Sequence, residues 1–283
     1  VTAAEYWTSH ELASVNSLGT LIQGLRGILE ISNAQERKWV FRGVADPTYP
    51  LHSKLFRLVQ EKSGAIPDEA AVAAEESAIL HRARAWNLDR HRSGPLTALQ
   101  MLAALQHTDS PTRLIDVTHH ALVAAWFAVE KHDDRDGRIF AVEVSRRDID
   151  PNWESAIDPF WDSDPPDQWE SDFWVWTPPP VEDRIARQHG AFLIGGVPNN
   201  IPNNWYLYED TKRRFRQDTV RNITSIAAKV NKGGRGRVAD RPMRTFRIDK
   251  EAKATLRWQL DTLFDLSHRT LFPDLAGFAK TFG

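Results

Sequence analysis

"RKWVFRGVADPTYPLHSKLFR", residues 37–57, is the stretch that decides the reading of the chain. Trp39-Val40-Phe41 reads as the middle of a buried strand over 38–42, yet that strand ends in Arg42 and Gly43. Arginine is among the residues least often buried. Arg42 therefore either sits at a strand end in a structural salt bridge, with Asp116 as a partner, or points into a cleft to hold an anion. A glycine beside it would let the backbone approach a ligand closely. The chain then turns over Asp46-Pro47 and Pro50 and closes on a second arginine, Arg57.

Outward from this stretch the pattern alternates. Leu12, Val15, Leu18, Leu21, Ile22, Leu25, Ile28 and Leu29 step by threes and fours, which predicts a helix over 11–32. Downstream, Asp68 after Pro67 opens a helix over 68–92, and Pro95 opens another over 96–107. Ser110-Pro111-Thr112 is a turn, and Leu114-Ile115 steps into Asp116-Val117-Thr118. "HHALVAAWFAVEK" (119–131) reads as a buried helix, "DDRDG" (133–137) as a turn and "RIFAVEV" (138–144) as a strand. A strand over 191–194, a strand feeding a helix over 249–264 and a short helix near Pro273 complete the chain.

Two segments carry opposite charge. Residues 148–183 hold eleven Asp and Glu, no Lys or Arg, and five tryptophans, so they predict a long acidic, aromatic loop that forms a lid. Residues 212–247 hold twelve Lys and Arg against two Asp. This basic block is either a surface paired with the acidic segment or a nucleic-acid contact, since "KRRFRQ" interleaves an aromatic with cations. Net charge over the 283 residues is only −2, which does not by itself call for a polyanionic partner. The absence of cysteine excludes disulfides and thiol chemistry. The longest apolar runs fall well short of the ~18 residues of a spanning helix, and the start of the sequence lacks a signal-peptide pattern. The expectation is a cytoplasmic protein with no membrane contact.

Four ordered motifs resemble the FRG domain family, named for its Phe/Tyr-Arg-Gly signature. They are "WVFRG" with "LHSKLFR", "LQHTDSPTRLIDVTHHALVAAWFAVE", "RQHGAFLI" and "TLFPDLAGFAK". The chain departs from the family pattern at Val44, Thr108, Asp109 and Val117. The motif order is also similar to that of ADP-ribosyltransferase folds. There a first-strand Arg or His holds NAD, a second-strand Ser or Thr leads into a helix flooring the nicotinamide site, and a late Glu or Gln positions the nucleophile. The resemblance implies one FRG-like domain over 1–283, with a helical segment over 1–36. The implied class is α+β, with a helical N-terminal half and two small sheets around a central cleft.

On that resemblance the expected activity is an NAD-dependent ADP-ribosyltransferase, a glycosyltransferase that uses NAD as substrate. It would serve as an intracellular toxin, in a toxin–antitoxin pair or in phage defence, with a nucleic acid or protein acceptor and an antitoxin as partner. The catalytic candidates are Arg42, Thr118, Gln188 and Glu143, with Glu182 ranked after them. Arg42, Gly43, Gln106, His107, Arg113, Asp116 and Phe127 would bind NAD, with Trp126 and the acidic-segment tryptophans as further stacking surfaces. Arg187 would stand beside Gln188 in the cleft.

Plainer roles compete at several positions. Arg113 and Asp116 suit a buried ion pair, Thr118 a helix cap and His107 a core histidine. No His or carboxylate set has metal-ligand spacing, so no metal is expected, and a metal-dependent nuclease is disfavoured. The reading from another class is a non-catalytic nucleotide or nucleic-acid sensing module.

Overall fold

The computed structural model describes residues 2–9, 11–29, 37–91, 94–163, 165–179, 183–199, 216–228 and 243–279. The chain enters through α1 (Ala3–Ser9), β1 (Glu11–Val15), α2 (Leu18–Leu29) and β2 (Trp39–Val44). Next come α3 (Lys54–Ser63), α4 (Glu69–Ala85), the short β3 (Arg90–His91) and β4 (Gly94–Pro95), and α5 (Ala98–His107). β5 (Ile115–Thr118), α6 (Ala121–Val129) and β6 (Gly137–Glu143) form the centre. The acidic segment contributes α7 (Pro151–Glu154), α8 (Phe160–Ser163) and β7 (Trp174–Trp176). α9 (Asp183–Arg187), β8 (Gly190–Ile194), α10 (Gln217–Ile223), β9 (Met243–Ile248), α11 (Lys250–Phe264), α12 (His268–Leu271) and α13 (Leu275–Ala279) complete it.

The described strands build one seven-stranded sheet in the order β1-β9-β6-β2-β5-β8-β7, plus the β3–β4 hairpin. All neighbours in the large sheet are antiparallel except β1 and β9. β2 pairs with β6 along its whole length, from Trp39↔Glu143 to Val44↔Arg138. Its other neighbour is different: β2 meets β5 at the single position Phe41↔Thr118. The sheet is therefore continuous, but it opens along the rest of that seam.

Strand alternation sorts side chains onto two faces. Val40, Val44, Ile115, Val117, Phe140, Val142, Ala191 and Leu193 share one core with Tyr6 and Trp7 of α1 and Val220 and Ile223 of α10. On the other face Ile139, Ala141, Phe246 and Ile248 pack under α2, α6 and α11. Phe192 and Ile194 pack on that face of the far half, with α4, α5 and the buried tryptophans of the acidic segment.

Two glycines let α6 lie against the centre of the sheet. A Cβ on Gly43 would fall 1.8 Å from the carbonyl oxygen of Ala124, and one on Gly137 would fall 2.2 Å from that of Ala128. Ala124 and Ala128 are one turn apart, so small residues on the helix meet glycines on β2 and β6. Lys253, fully buried on α11, fixes the same corner. Its Nζ donates to the carbonyls of Ala45 at 2.8 Å and of Lys131 and His132 at 3.0 Å. Three acceptors match the three donors of an ammonium group.

The mixed helix-and-strand class is as expected, with four corrections. One large sheet with a two-stranded hairpin stands where two small sheets around a cleft were predicted, and the N-terminal half carries three strands of the large sheet, β1, β2 and β5, with most of β6. The helix predicted over 11–32 begins as strand β1, because Glu11-Leu-Ala-Ser-Val15 alternates in burial and pairs with β9. The helix predicted over 68–92 ends at Ala85. The acidic segment is structured rather than a free loop. Its rings form a stacked cluster, with Trp161–Trp169 centroids 5.4 Å apart and Trp169–Trp174 5.7 Å apart. Half of the basic block, residues 212–215 and 229–242, lies outside the described residues, and the rest contributes α10 and most of β9.

Candidate functional site

The seam between β2 and β5 is the floor of a cleft of about 610 Å³. Arg42, Gly43 and Val44 border it on one side, and Ile115 to Thr118 on the other. His52 and the cap Ser53 just before α3, with Lys54 and Arg57 on it, close one end, while α5 adds Gln106 and His107. Phe127 and Glu130 come from α6, and Arg184 and Gln188 from α9 and the turn after it.

Arg42 spans the seam. Its Nη1 donates to the backbone carbonyl of Asp116 at 2.6 Å and lies 3.8 Å from Asp116 Oδ2. Burial lowers the pKa of the Arg42 guanidinium, Asp116 raises it, and the Arg57 charge lowers it further. Asp116 Oδ1 accepts a second bond, 2.6 Å from Gln106 Nε2. Gln106 is oriented in turn by Thr112, whose hydroxyl donates to its Oε1. The carboxylate of Asp116 is thus aimed by one donor, Gln106, with the Arg42 charge beside it, yet two-thirds of its side chain stays open to the cleft.

Sequence motifs explain α3. Ser53 caps it by accepting the Phe56 N–H, and Gly64 ends it in a left-handed turn with φ 67°. Arg57 then stands one turn in, and its Nη1 reaches back to the His52 carbonyl at 3.0 Å. His52 is buried, and its Nε2 lies 2.7 Å from the carbonyl oxygen of Arg221. A carbonyl only accepts, so Nε2 carries the proton. Burial holds the His52 pKa down at about 4.

Electrostatically the cleft is short of negative charge. Arg42, Lys54, Arg57, Lys131 and Arg184 line it against Asp109, Asp116 and Glu130, a surplus of two positive charges. Lys54 pairs with Asp109 at 2.9 Å, and Lys131 lies 3.5 Å from Glu130. Among the described residues Arg57 and Arg184 make no ion pair. Arg184 lies 4.4 Å over the ring of Phe272, and Phe272 packs edge-on to Phe127 at 5.9 Å. That end of the cleft has an aromatic wall.

Most residues predicted for the site come together here: Arg42, Gly43, Gln106, His107, Asp116, Thr118, Phe127 and Gln188 all line the cleft. Several do so in roles other than those expected. Gly43 serves the packing of α6. The Thr118 hydroxyl donates to the Gln188 carbonyl at 2.6 Å and accepts the His120 N–H at 2.9 Å. Gln188 Nε2 donates to the Leu271 carbonyl at 2.9 Å, which ties the amide to α12.

Other expectations are corrected. Arg113 does not reach the cleft and is not paired with Asp116. It lies between Trp161 and Trp169, 5.2 Å from each ring, and is held by Glu76 at 2.7 Å and Glu69 at 2.9 Å. Burial opposes its charge, but the two carboxylates outweigh burial and raise its pKa. Glu143 is buried on β6 away from the cleft lining, and its Oε1 accepts the Ser145 N–H at 2.9 Å. Trp126 is a core residue, and Arg187 is exposed outside the lining, where Arg184 stands in its place. Glu182 lies outside the described residues. None of the five acidic-segment tryptophans lines the cleft, so the predicted lid is absent among them. Sequence reasoning missed Lys54, Arg57, Arg184 and Glu130. The signal for Arg57 was present: it closes the opening stretch one turn after a helix cap.

Residues 37–137 match the FRG domain. The FRG match runs from just before β2 to the start of β6, 101 of the 283 residues, and supports that family over this segment. It contains both strands of the seam, all of α3, α5 and α6, and the bond from Arg42 to Asp116. Arg184 and Gln188 reach the cleft from beyond it. No curated protein and no solved structure matches the chain. No helix among the described residues is long and apolar enough to cross a membrane, and no metal-ligating cluster occurs among them.

Proposed function

We propose that the FRG-matching cleft binds NAD and that the protein is an ADP-ribosyltransferase. The observation that carries this reading is the opened seam, with Arg42 across it and an aromatic wall at Phe127. An arginine fork suits a pyrophosphate, because its planar donors meet two oxygens at once. The aromatic wall suits the flat nicotinamide ring. Cleavage of the nicotinamide–ribose bond sends the bonding electron pair to the pyridine nitrogen, and positive charge develops on the ribose. A carboxylate facing that carbon lowers the barrier. Asp116 and Glu130 are the carboxylates that line the cleft near Arg42 and Phe127; Glu143 is not among them. The acceptor then bonds to C1′ and loses its proton. Nucleic acid and protein remain the two acceptor classes, and action as a toxin or in defence, with an antitoxin partner, fits such an activity.

A second reading is a nucleotide-binding module without catalysis. It is favoured by the ties on Thr118 and Gln188, whose hydroxyl and amide already serve structural bonds. Incubation with NAD separates the two. Release of free nicotinamide that disappears in Arg42→Ala supports the transferase. Saturable NAD binding with no nicotinamide release supports the module.

A further inference from the structure

Arg57 has no role in the reading above, although it ends the stretch that opens the site. It stands on α3 facing the same cleft as Arg42. Its guanidinium donates to a neutral carbonyl, that of His52, and among the described residues it has no carboxylate within ion-pair distance. Arg42 has only Asp116, whose Oδ1 is already taken by Gln106. Two guanidinium groups thus share one partly committed carboxylate. The cleft also carries a surplus of two positive charges, which equals the charge of a diphosphate diester. The first turn of α3 presents Ser53 and Lys54 to the same end, so the positive end of a ten-residue helix adds to the field there.

We propose that Arg42 and Arg57 form a clamp for two adjacent phosphates, so that the ligand class is a nucleoside diphosphate or its ester rather than a monophosphate or a free nucleoside. Arg42 holds the phosphate nearer the seam, and Arg57 holds the one nearer α3. The charge of Asp116 acts on both guanidinium groups, so it serves as an internal counter-ion that the ligand phosphates replace in neutralising the pair. This rests on the cleft being a nucleotide site, and it names the chemical class that site selects.

The test is calorimetric titration of the intact chain with ADP, AMP and inorganic pyrophosphate at fixed salt. ADP is expected to bind about 30-fold more tightly than AMP, the value of one further charge-assisted contact, and pyrophosphate should compete with ADP. Arg57→Gln should bring the ADP:AMP ratio to near one while leaving AMP affinity within about threefold, because AMP uses Arg42 alone. Arg42→Gln should weaken both. Arg57→Lys, which keeps the charge and loses the fork, should give an intermediate ratio. Arg57 is exposed and its guanidinium makes one local bond, to a carbonyl five residues back, so an unchanged melting curve should accompany Arg57→Gln. Equal binding of ADP and AMP, equal weakening of both by Arg57→Gln, or no binding of either overturns the clamp. A preserved ADP:AMP ratio with no nicotinamide release from NAD leaves the clamp standing and overturns only the transferase.

Discussion

Arg42 Nη1 donates to the carbonyl of Asp116 at 2.6 Å across the seam where β2 and β5 part. An antiparallel ladder continued from Phe41↔Thr118 would put Arg42 opposite Val117. A side chain instead supplies a link that backbone pairing does not. Of the two readings of Arg42 offered by the sequence, the pairing with Asp116 is present, and it stands in the lining of a cleft; the anion of the other reading belongs to the proposal.

Arg42→Ala is expected to cost about 1–3 kcal/mol of stability, the range for a charge-assisted hydrogen bond, and to abolish ligand binding. Arg42→Lys should recover much of the stability and little of the binding, since an ammonium is a point charge without the planar fork. Thermal melts run beside nucleotide titrations check both. Binding at wild-type strength by either variant would remove Arg42 from the site.

Gly43 and Gly137 are expected to resist even a methyl group. Their new Cβ atoms would meet backbone oxygens of α6, at 1.8 and 2.2 Å, and backbone cannot rotate away as a side chain does. Gly43→Ala and Gly137→Ala should each cost at least about 3 kcal/mol, the upper end of overpacking penalties. Gly27 in α2 has nothing within 4 Å of its Cβ position, so Gly27→Ala should stabilise by about 0.5–1 kcal/mol. Urea unfolding of the three variants checks the contrast.

Much of this architecture was legible in the sequence because local signals govern it. β2 and β6 carry strand patterns and α5 a helix pattern opened by the Thr97 cap, and all three form nearly where predicted. β1 was misread because Leu12, Val15 and Leu18 fit a helical period, while its pairing with β9 is a contact between residues more than 200 positions apart. No local pattern encodes that. The site was legible where motifs crowd together, as in Arg42 and Asp116. It was not legible for Arg113, whose acidic partners Glu69 and Glu76 come from a helix some forty residues upstream. Glu143 was misplaced for a different reason. Alternation gave it a face of the sheet but could not say which helix covers that face.

Arg113 is expected to matter for folding and not for ligand affinity. Arg113→Ala would leave Glu76, only 2% exposed, without its cation. Removing one partner of a buried pair costs about 3–5 kcal/mol. Arg113→Lys should cost less but still lose the stacking between Trp161 and Trp169. Nucleotide titration of whichever variant remains folded should give wild-type affinity. Selective loss of affinity in a fully folded variant would return Arg113 to the cleft.

His52 predicts an acid limb in the stability profile. The imidazole titrates near 6.5 when free and at about 4 when folded. Between those values the unfolded chain binds the extra proton, so stability falls as pH drops from about 6.5 to about 4 and is fully present above that window. The loss amounts to about 3 kcal/mol at the bottom of the window. His52→Gln retains an N–H donor for the Arg221 carbonyl and has no proton to gain. Its stability should therefore fall less steeply over that range, as read from urea midpoints at several pH values. Parallel profiles for wild type and variant would show that His52 is not the titrating group.

Asp116 is expected to divide binding from chemistry. Its carboxylate offsets the Arg42 charge in the free protein, so Asp116→Asn keeps the backbone bond, leaves that charge unbalanced and should hold or improve affinity for NAD. The same change removes an anion from the cleft in which charge develops on the ribose. If Asp116 stabilises that charge, nicotinamide release should fall about 100- to 1000-fold, as when one oriented stabilising group is lost from an active site. Glu130→Gln supplies the comparison, since Glu130 lines the same cleft but sits at the end of α6 beside Lys131. A large loss in Asp116→Asn with near-normal turnover in Glu130→Gln assigns the role to Asp116, and the reverse pattern assigns it to Glu130. Unchanged turnover in both variants would mean that neither cleft carboxylate takes part in the chemistry.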